Sequence, residues 1–239
     1  MFQAIEKQFR VQWREWLGVN EIILAAGLFG MVLLAIITRV TGERESGFAL
    51  GAALAGIAAA FISFLYVAVQ VSLRFDLQIS LGFTRKQFLF SWFVVEIAQS
   101  ILAAGLVILF CLAENKLYPF LYPGMRIDVN FLPWILRYGL LAAVALPVLG
   151  SFCGVLVQHF GKPAFWALWV FWMGGWLGVP RILSASRNMS ESFLGKIGGE
   201  LNRILEAVPV NGWAGLAAAA AIVAAILTWR ILMKQRVGA

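Results

Sequence analysis

Few side chains in this sequence could do chemistry, and the candidates sit inside long apolar runs. Glu96 and Gln99 lie three residues apart in the run 87–113, on one face of a helix, and Arg137 lies near the start of the run 131–157. An ionised group at bilayer depth is costly, so by default it faces the protein interior or water. Glu96 and Gln99 are therefore candidates to line a substrate path, with a structural hydrogen bond between helices as the alternative. Arg137 reads as a cation that snorkels to the nearby interface, or as an ion-pair partner for Glu96. The other signals are exclusions. No G-x-x-x-x-G-K-[ST] and no H-E-x-x-H occurs, so the chain has neither a P-loop nor that zinc motif. His159 has no base-plus-nucleophile set beside it, and Cys111 and Cys153 lack metal or disulfide spacing. Gly150-Ser151-Phe152-Cys153-Gly154 is not a G-x-S-x-G nucleophile elbow and reads as a close helix-packing site. The expectation is a chain that is not an enzyme and holds no metal or cofactor of its own.

The elements that must position these residues follow from composition. The chain is 62% hydrophobic and 13% charged, against about half and about a quarter in soluble domains. Lipid accepts that surplus, and in lipid the backbone must satisfy its own hydrogen bonds within helices or closed barrels. The apolar runs are continuous rather than alternating, which selects helices. The expected fold is all-α and polytopic, with six spans over 22–38, 47–73, 87–113, 131–157, 164–183 and 212–233. The first run is read as a retained span, since no small-x-small cleavage pattern follows it.

Before the first span, Phe2, Ile5, Phe9, Trp13 and Trp16 share one helical face, and Gln3, Lys7, Arg10 and Arg14 another. That pattern predicts an amphipathic interfacial helix over 1–20, leaving 21–239 as the membrane domain. A second amphipathic helix is expected over 190–207, bent at Gly198-Gly199, and Asn188-Met189-Ser190 fits a glycosylation acceptor. The net charge of +7 comes mostly from residues between apolar runs. It is therefore read as a topology signal rather than a nucleic-acid footprint. The short 74–86 connection, with Arg74, Arg85 and Lys86, is the densest basic spot near span ends, which predicts both termini in the cytoplasm. Gly47, Gly51 and Ala55 in span two, Gly174, Gly175 and Gly178 in span five, and Gly215 with the alanines of span six read as small-residue packing faces.

The most informative segment is 74–90. Gly82 is suited to end a short helix over 75–81 in the left-handed conformation. Thr84 with Gln87 three residues later predicts a capping box that opens the next helix. The stretch Leu81-Gly82-Phe83-Thr84-Arg85-Lys86-Gln87-Phe88 resembles the loop between the second and third spans of bacterial ABC-2-type transporter permeases. Length, six spans and an N-terminal interfacial helix resemble that family across nearly the whole chain. The resemblance implies a transmembrane permease subunit of the bacterial cytoplasmic membrane, acting in export. Its second inward loop would form a coupling helix on a separate ABC ATPase subunit, which binds ATP and Mg. On that resemblance Leu81, Gly82, Thr84, Arg85 and Lys86 belong to the ATPase contact, Asp76 and Gln78 face the ATPase, and a second permease copy or paralogue completes the path. Gly51 and Gly175 would border the cleft between the two copies. Rival readings are a self-contained secondary transporter or channel, expected to carry more intramembrane acids and matched broken helices, and a non-transporting membrane scaffold.

Overall fold

A computed structural model describes residues 2–42, 46–123, 126–188 and 193–234. Apart from two short strands, its regular elements are helices: α1 (Phe2–Thr41), α2 (Leu50–Ser80), α3 (Arg85–Leu121), α4 (Leu132–Phe160), α5 (162–188), α6 (Phe193–Ala207) and α7 (Val210–Lys234). The strands β1 (Ser46–Phe48) and β2 (Arg126–Val129) pair in parallel. They tie the α1–α2 connection to the α3–α4 connection, so these two loops share one end of the bundle. The α2–α3 turn lies at the other end. Helices α1, α2, α3, α4 and α7 are long and apolar enough to cross a membrane, the architecture of a multi-pass helical membrane protein.

The helix over 162–188 is not among those five. Its core carries Trp166, Trp169, Trp172 and Trp176 with Gly174, Gly175 and Gly178, residues that add little on a hydropathy scale. Gly174–Gly178 form a π-helical turn, and none of Lys162–Met173 is buried. This helix meets the bundle through its hairpin with α4, which turns at Gly161, and through Trp172 edge-on to Phe61 of α2.

Two further expectations change. The interfacial segment is not a separate element, because α1 runs unbroken from Phe2 to Thr41. At ~1.5 Å per residue it is ~60 Å long, about twice the hydrocarbon thickness. Phe9 and Trp13 are exposed and Trp16 is half-buried, whereas Ala4, Gln8, Gln12, Val19 and Ile23 are buried against the bundle. Phe9 and Trp13 are thus left for lipid. Helix α6 likewise runs through Gly198-Gly199 without a break, and it packs on the last turns of α5. The Asn188-Met189-Ser190 acceptor falls partly outside the described residues.

Small residues decide how closely α2 is gripped. A Cβ on Gly27 of α1 would strike the Phe110 ring, and one on Gly30 would lie 2.6 Å from the Leu50 carbonyl oxygen. Gly51 faces Met31 and Glu114 within the chain, so it does not border a cleft toward another copy. Val19 and Ile23, the alanines 49, 52, 55 and 59, and Ala103, Val107 and Phe110 form one core between α1, α2 and α3. On the other side, a Cβ on Gly150 or Gly154 of α4 would collide with the carbonyl oxygens of Phe64 and Ala68. Phe64 lies in a π-helical turn over Ile62–Tyr66. The predicted packing role of the Gly150–Gly154 stretch is thus met, and Ser151 accepts a hydrogen bond from the Trp92 indole at 3.0 Å. By contrast Gly174, Gly175, Gly178 and Gly215 have open space where a Cβ would go.

These contacts predict opposite outcomes for one kind of substitution. Gly154→Ala should lower the thermal midpoint of the purified protein, since overpacking costs about 1–3 kcal/mol. Gly175→Ala should leave the midpoint unchanged or raise it, since removing a helical glycine is worth roughly 0.5–1 kcal/mol. Thermal unfolding of both variants in detergent reads the difference.

Candidate functional site

The end of the bundle opposite the strands holds the candidate residues. Helix α2 stops in a Schellman motif: Gly82 has φ +87°, its N–H donates to the Ile79 carbonyl, and the Phe83 N–H donates to the Gln78 carbonyl, each at 3.1 Å. The expected short helix over 75–81 is the continuous end of α2 rather than an element of its own. Two residues later the predicted capping box is present. The Gln87 N–H donates to Thr84 Oγ1 at 3.3 Å, and the Thr84 N–H donates to Gln87 Oε1 at 3.1 Å. Two long helices therefore meet in a turn whose free backbone groups are satisfied from within.

The seven residues assigned to this region separate into two sets. Leu81 is 70% exposed, and Asp76, Gly82, Thr84 and Lys86 also stand open. Gln158 of α4 reaches Asp76 Oδ2 at 3.5 Å. Gln78, expected to face outward, is turned inward and buried. Arg85 is half-buried, and its guanidinium donates to the Met233 carbonyl of α7 at 2.7 Å. A cation there satisfies a free carbonyl and complements the negative helix C-terminus. Beneath the turn Phe75, Phe88, Leu89, Trp92, Val155 and Leu232 are fully buried together, so α2, α3, α4 and α7 are clamped there by one core.

Glu96 and Gln99 both face α1. Glu96 is 3% exposed and accepts a hydrogen bond from Gln12 Nε2 at 3.0 Å, while Gln99 donates to Asn20 Oδ1 at 3.3 Å. Arg137 sits at the strand end, where Arg137 and Tyr138 both donate to Asn211 Oδ1, and it makes no pair with Glu96. Beside Glu96 lies a polar cluster that the sequence reading did not assemble. Arg74 of α2 forms an ion pair with Glu15 of α1, and the Tyr66 hydroxyl donates to the other Glu15 oxygen at 2.5 Å. Arg74 Nε donates to Gln70 at 3.0 Å. The available signal was the spacing of Gln8, Gln12 and Glu15 in α1 against Tyr66, Gln70 and Arg74 in α2, which acquires meaning once the two helices are antiparallel neighbours.

Glu114, near the end of α3, is wholly buried. Its two carboxylate oxygens each accept a 2.8 Å hydrogen bond, from the Gly51 and Ala52 N–H groups at the start of α2. A residue of α3 thus caps α2, doing the work usually done by a local N-cap side chain. Among the described residues no group of His, Cys, Asp and Glu is arranged to hold a metal ion.

Comparisons with protein-family models, with curated proteins and with solved structures return no match to this chain.

The Glu15–Arg74 pair can be weighed by a double-mutant cycle. Arg74→Gln should destabilise by about 2 kcal/mol, below the ~3–5 of a fully buried pair because Glu15 is partly exposed. Glu15→Gln should cost as much or more, because it strands the buried Arg74 guanidinium, and the double variant should lose less than the two singles together by about 1 kcal/mol. Denaturant unfolding in a fixed detergent measures all four corners.

Proposed function

We propose that the chain is the transmembrane permease subunit of an ABC transporter, acting in export, with ATP hydrolysed by a separate subunit. The observation that carries this reading is the 81–84 turn. It is internally capped on both sides, exposes Leu81 and Lys86, and is bonded to a third helix by Arg85. Caps of this kind also occur in ordinary helix connectors, and a lever requires them, because a push on a floppy turn would be absorbed before it reached the helices. The resemblance of residues 81–88 to the coupling loop of ABC-2 permeases supplies the identity of the pusher.

On this reading the turn and both termini lie in the cytoplasm and the strand end lies outside. Helix α5 is the sixth crossing, its tryptophans suited to membrane interfaces, and its open aromatic side is offered to a second permease copy or a paralogue. The first turns of α1 lie at the cytoplasmic interface with Phe9 and Trp13 toward lipid. Two ATPase subunits, holding ATP and Mg, dock on the turns of the two permeases. Closure of the ATPases tilts α2 and α3 together, and a two-state rearrangement of the bundle moves the substrate without chemistry on it. Glu96 and Gln99, bonded to α1 at rest, enter the path when α1 separates from α3. The chain itself needs no cofactor.

A photo-crosslinking residue at Leu81 tests the docking. It should capture a subunit that is also labelled by a photoreactive ATP analogue, and the same probe at Trp134, at the opposite end, should not. Lys86→Glu should weaken that capture about tenfold, equivalent to ~1.4 kcal/mol. Equal capture from both ends, or none from Leu81, overturns the reading.

A further inference from the structure

A groove of about 710 Å³ opens between the first turns of α1 and the last turns of α2, beside the 81–84 turn. Three cations, Lys7, Arg10 and Arg74, border it with a single carboxylate, Glu15. Arg10 is bonded to Glu6 and Arg74 to Glu15, but Arg74 keeps one guanidinium nitrogen, Nη1, with no partner among the described residues. Two amides on the wall are in the same position. Gln8 is fully buried and neither its nitrogen nor its oxygen is bonded, and the buried Gln78 leaves Oε1 unbonded. Unpaired polar atoms in a buried setting are costly, and their concentration on one wall marks a place built for something polar.

The rest of the groove is apolar. Val11, Leu73 and Leu77 line it, and each is more than half exposed. Leu73 and Leu77 continue a stripe with Leu65 and Val69 at four-residue steps along α2, all exposed. Twelve residues of helix rise ~18 Å, about half of the ~30 Å hydrocarbon core. A head site with excess positive charge and donors, continued by an apolar track one leaflet deep, has the shape of one ligand class.

We infer that this groove binds an anionic phospholipid, its phosphate among Lys7, Arg10, Gln8 and Arg74 Nη1 and an acyl chain along Leu73, Val69 and Leu65. Cationic pockets between helices near the headgroup level bind acidic lipids by the same chemistry. A free phosphate would satisfy the head site and leave the leucine track uncovered. A zwitterionic lipid would cover the track and bring no net charge to the cations. The inference is independent of the transporter reading, since it concerns binding alone.

The test uses the full chain purified in detergent and followed by native mass spectrometry and thermal unfolding. Phosphatidylglycerol should bind with one copy retained and raise the unfolding midpoint. Phosphatidylcholine, and glycerol phosphate at equal concentration, should do neither. Lys7→Ala with Arg10→Ala should weaken phosphatidylglycerol binding at least fivefold, and Lys7→Arg with Arg10→Lys should keep it. Gln8→Leu should weaken binding while leaving the lipid-free protein as stable or more so, because it removes the unbonded amide. Equal retention of phosphatidylcholine, equal binding of glycerol phosphate, or indifference to the double alanine variant overturns the assignment. Should the alanine variant fail to fold, the lipid comparison on the unaltered chain decides.

Discussion

The fold depends on how closely other helices come to the backbone of α2. Gly27 and Gly30 of α1 press on one side of it, and Gly150 and Gly154 of α4 press on the other. In lipid, apolar side chains gain nothing by leaving a solvent that is itself apolar. Close van der Waals fit and a few interhelical hydrogen bonds must then hold the bundle together. The alanine face of α2 permits that fit, and α4 approaches at Phe64 in the π-helical turn Ile62–Tyr66 and again just beyond it at Ala68. With α2 fixed between α1, α3 and α4, its last turn closes on its own backbone, while its first turn is finished by a neighbour's side chain. Glu114 does this at the strand end.

The polar bonds are distributed according to the same logic. Interhelical hydrogen bonds in membrane proteins are worth roughly 0.6 kcal/mol on average, so no single one holds two helices together. What matters is that several act on one region. Around the 81–84 turn, Trp92 reaches Ser151, Arg85 reaches the end of α7, and Arg74 and Tyr66 reach Glu15 of α1. Every helix of the five-helix core is tied to α2 or α3 within a few turns of that connection. A displacement of the turn would therefore be shared by the bundle. That mechanical property is what the permease proposal requires of a coupling element.

The sequence was most legible where structure is local. Gly82, Thr84 and Gln87 specify their turn through bonds spanning three to five residues, and both caps form as their spacing implies. The apolar runs located the helices, though not their ends. Helices α2 and α3 extend past the apolar stretch because internal hydrogen bonding and packing continue after hydropathy falls. The candidate site was legible only in part. Glu96 could be singled out as a buried acid, but its partner Gln12 lies 84 residues away, and nothing local points to it. The N-terminal aromatics of α1 were read as a membrane-facing surface, and Phe9 and Trp13 do point away from the bundle. Periodicity finds the apolar face, and in lipid that face can point away from the protein as readily as toward it. Gln78 was placed outward by the resemblance alone, whereas in the fold it turns inward onto the groove wall, and nothing local marks Glu114 as the cap of a helix whose first turn lies 63 residues earlier.

A gradient of residue size along α1 explains why the groove opens at the turn end. Where α1 carries Gly27 and Gly30, it meets α2 at backbone distance. Where it carries Gln8, Gln12 and Glu15, long side chains stand between the helices and reach for partners on α2 and α3. Two rigid helices in contact at one end and spaced by extended side chains at the other must diverge. The divergence leaves space that neither helix can fill, and three residues bordering it, Gln8, Arg74 and Gln78, keep polar atoms without partners among the described residues. The groove is thus a consequence of the same small-residue contacts that fix α2, not an accident of a loosely packed terminus. Closing it would require replacing Gln8, Gln12 and Glu15 by small residues, which would also remove the bonds that join α1 to Glu96 and Arg74.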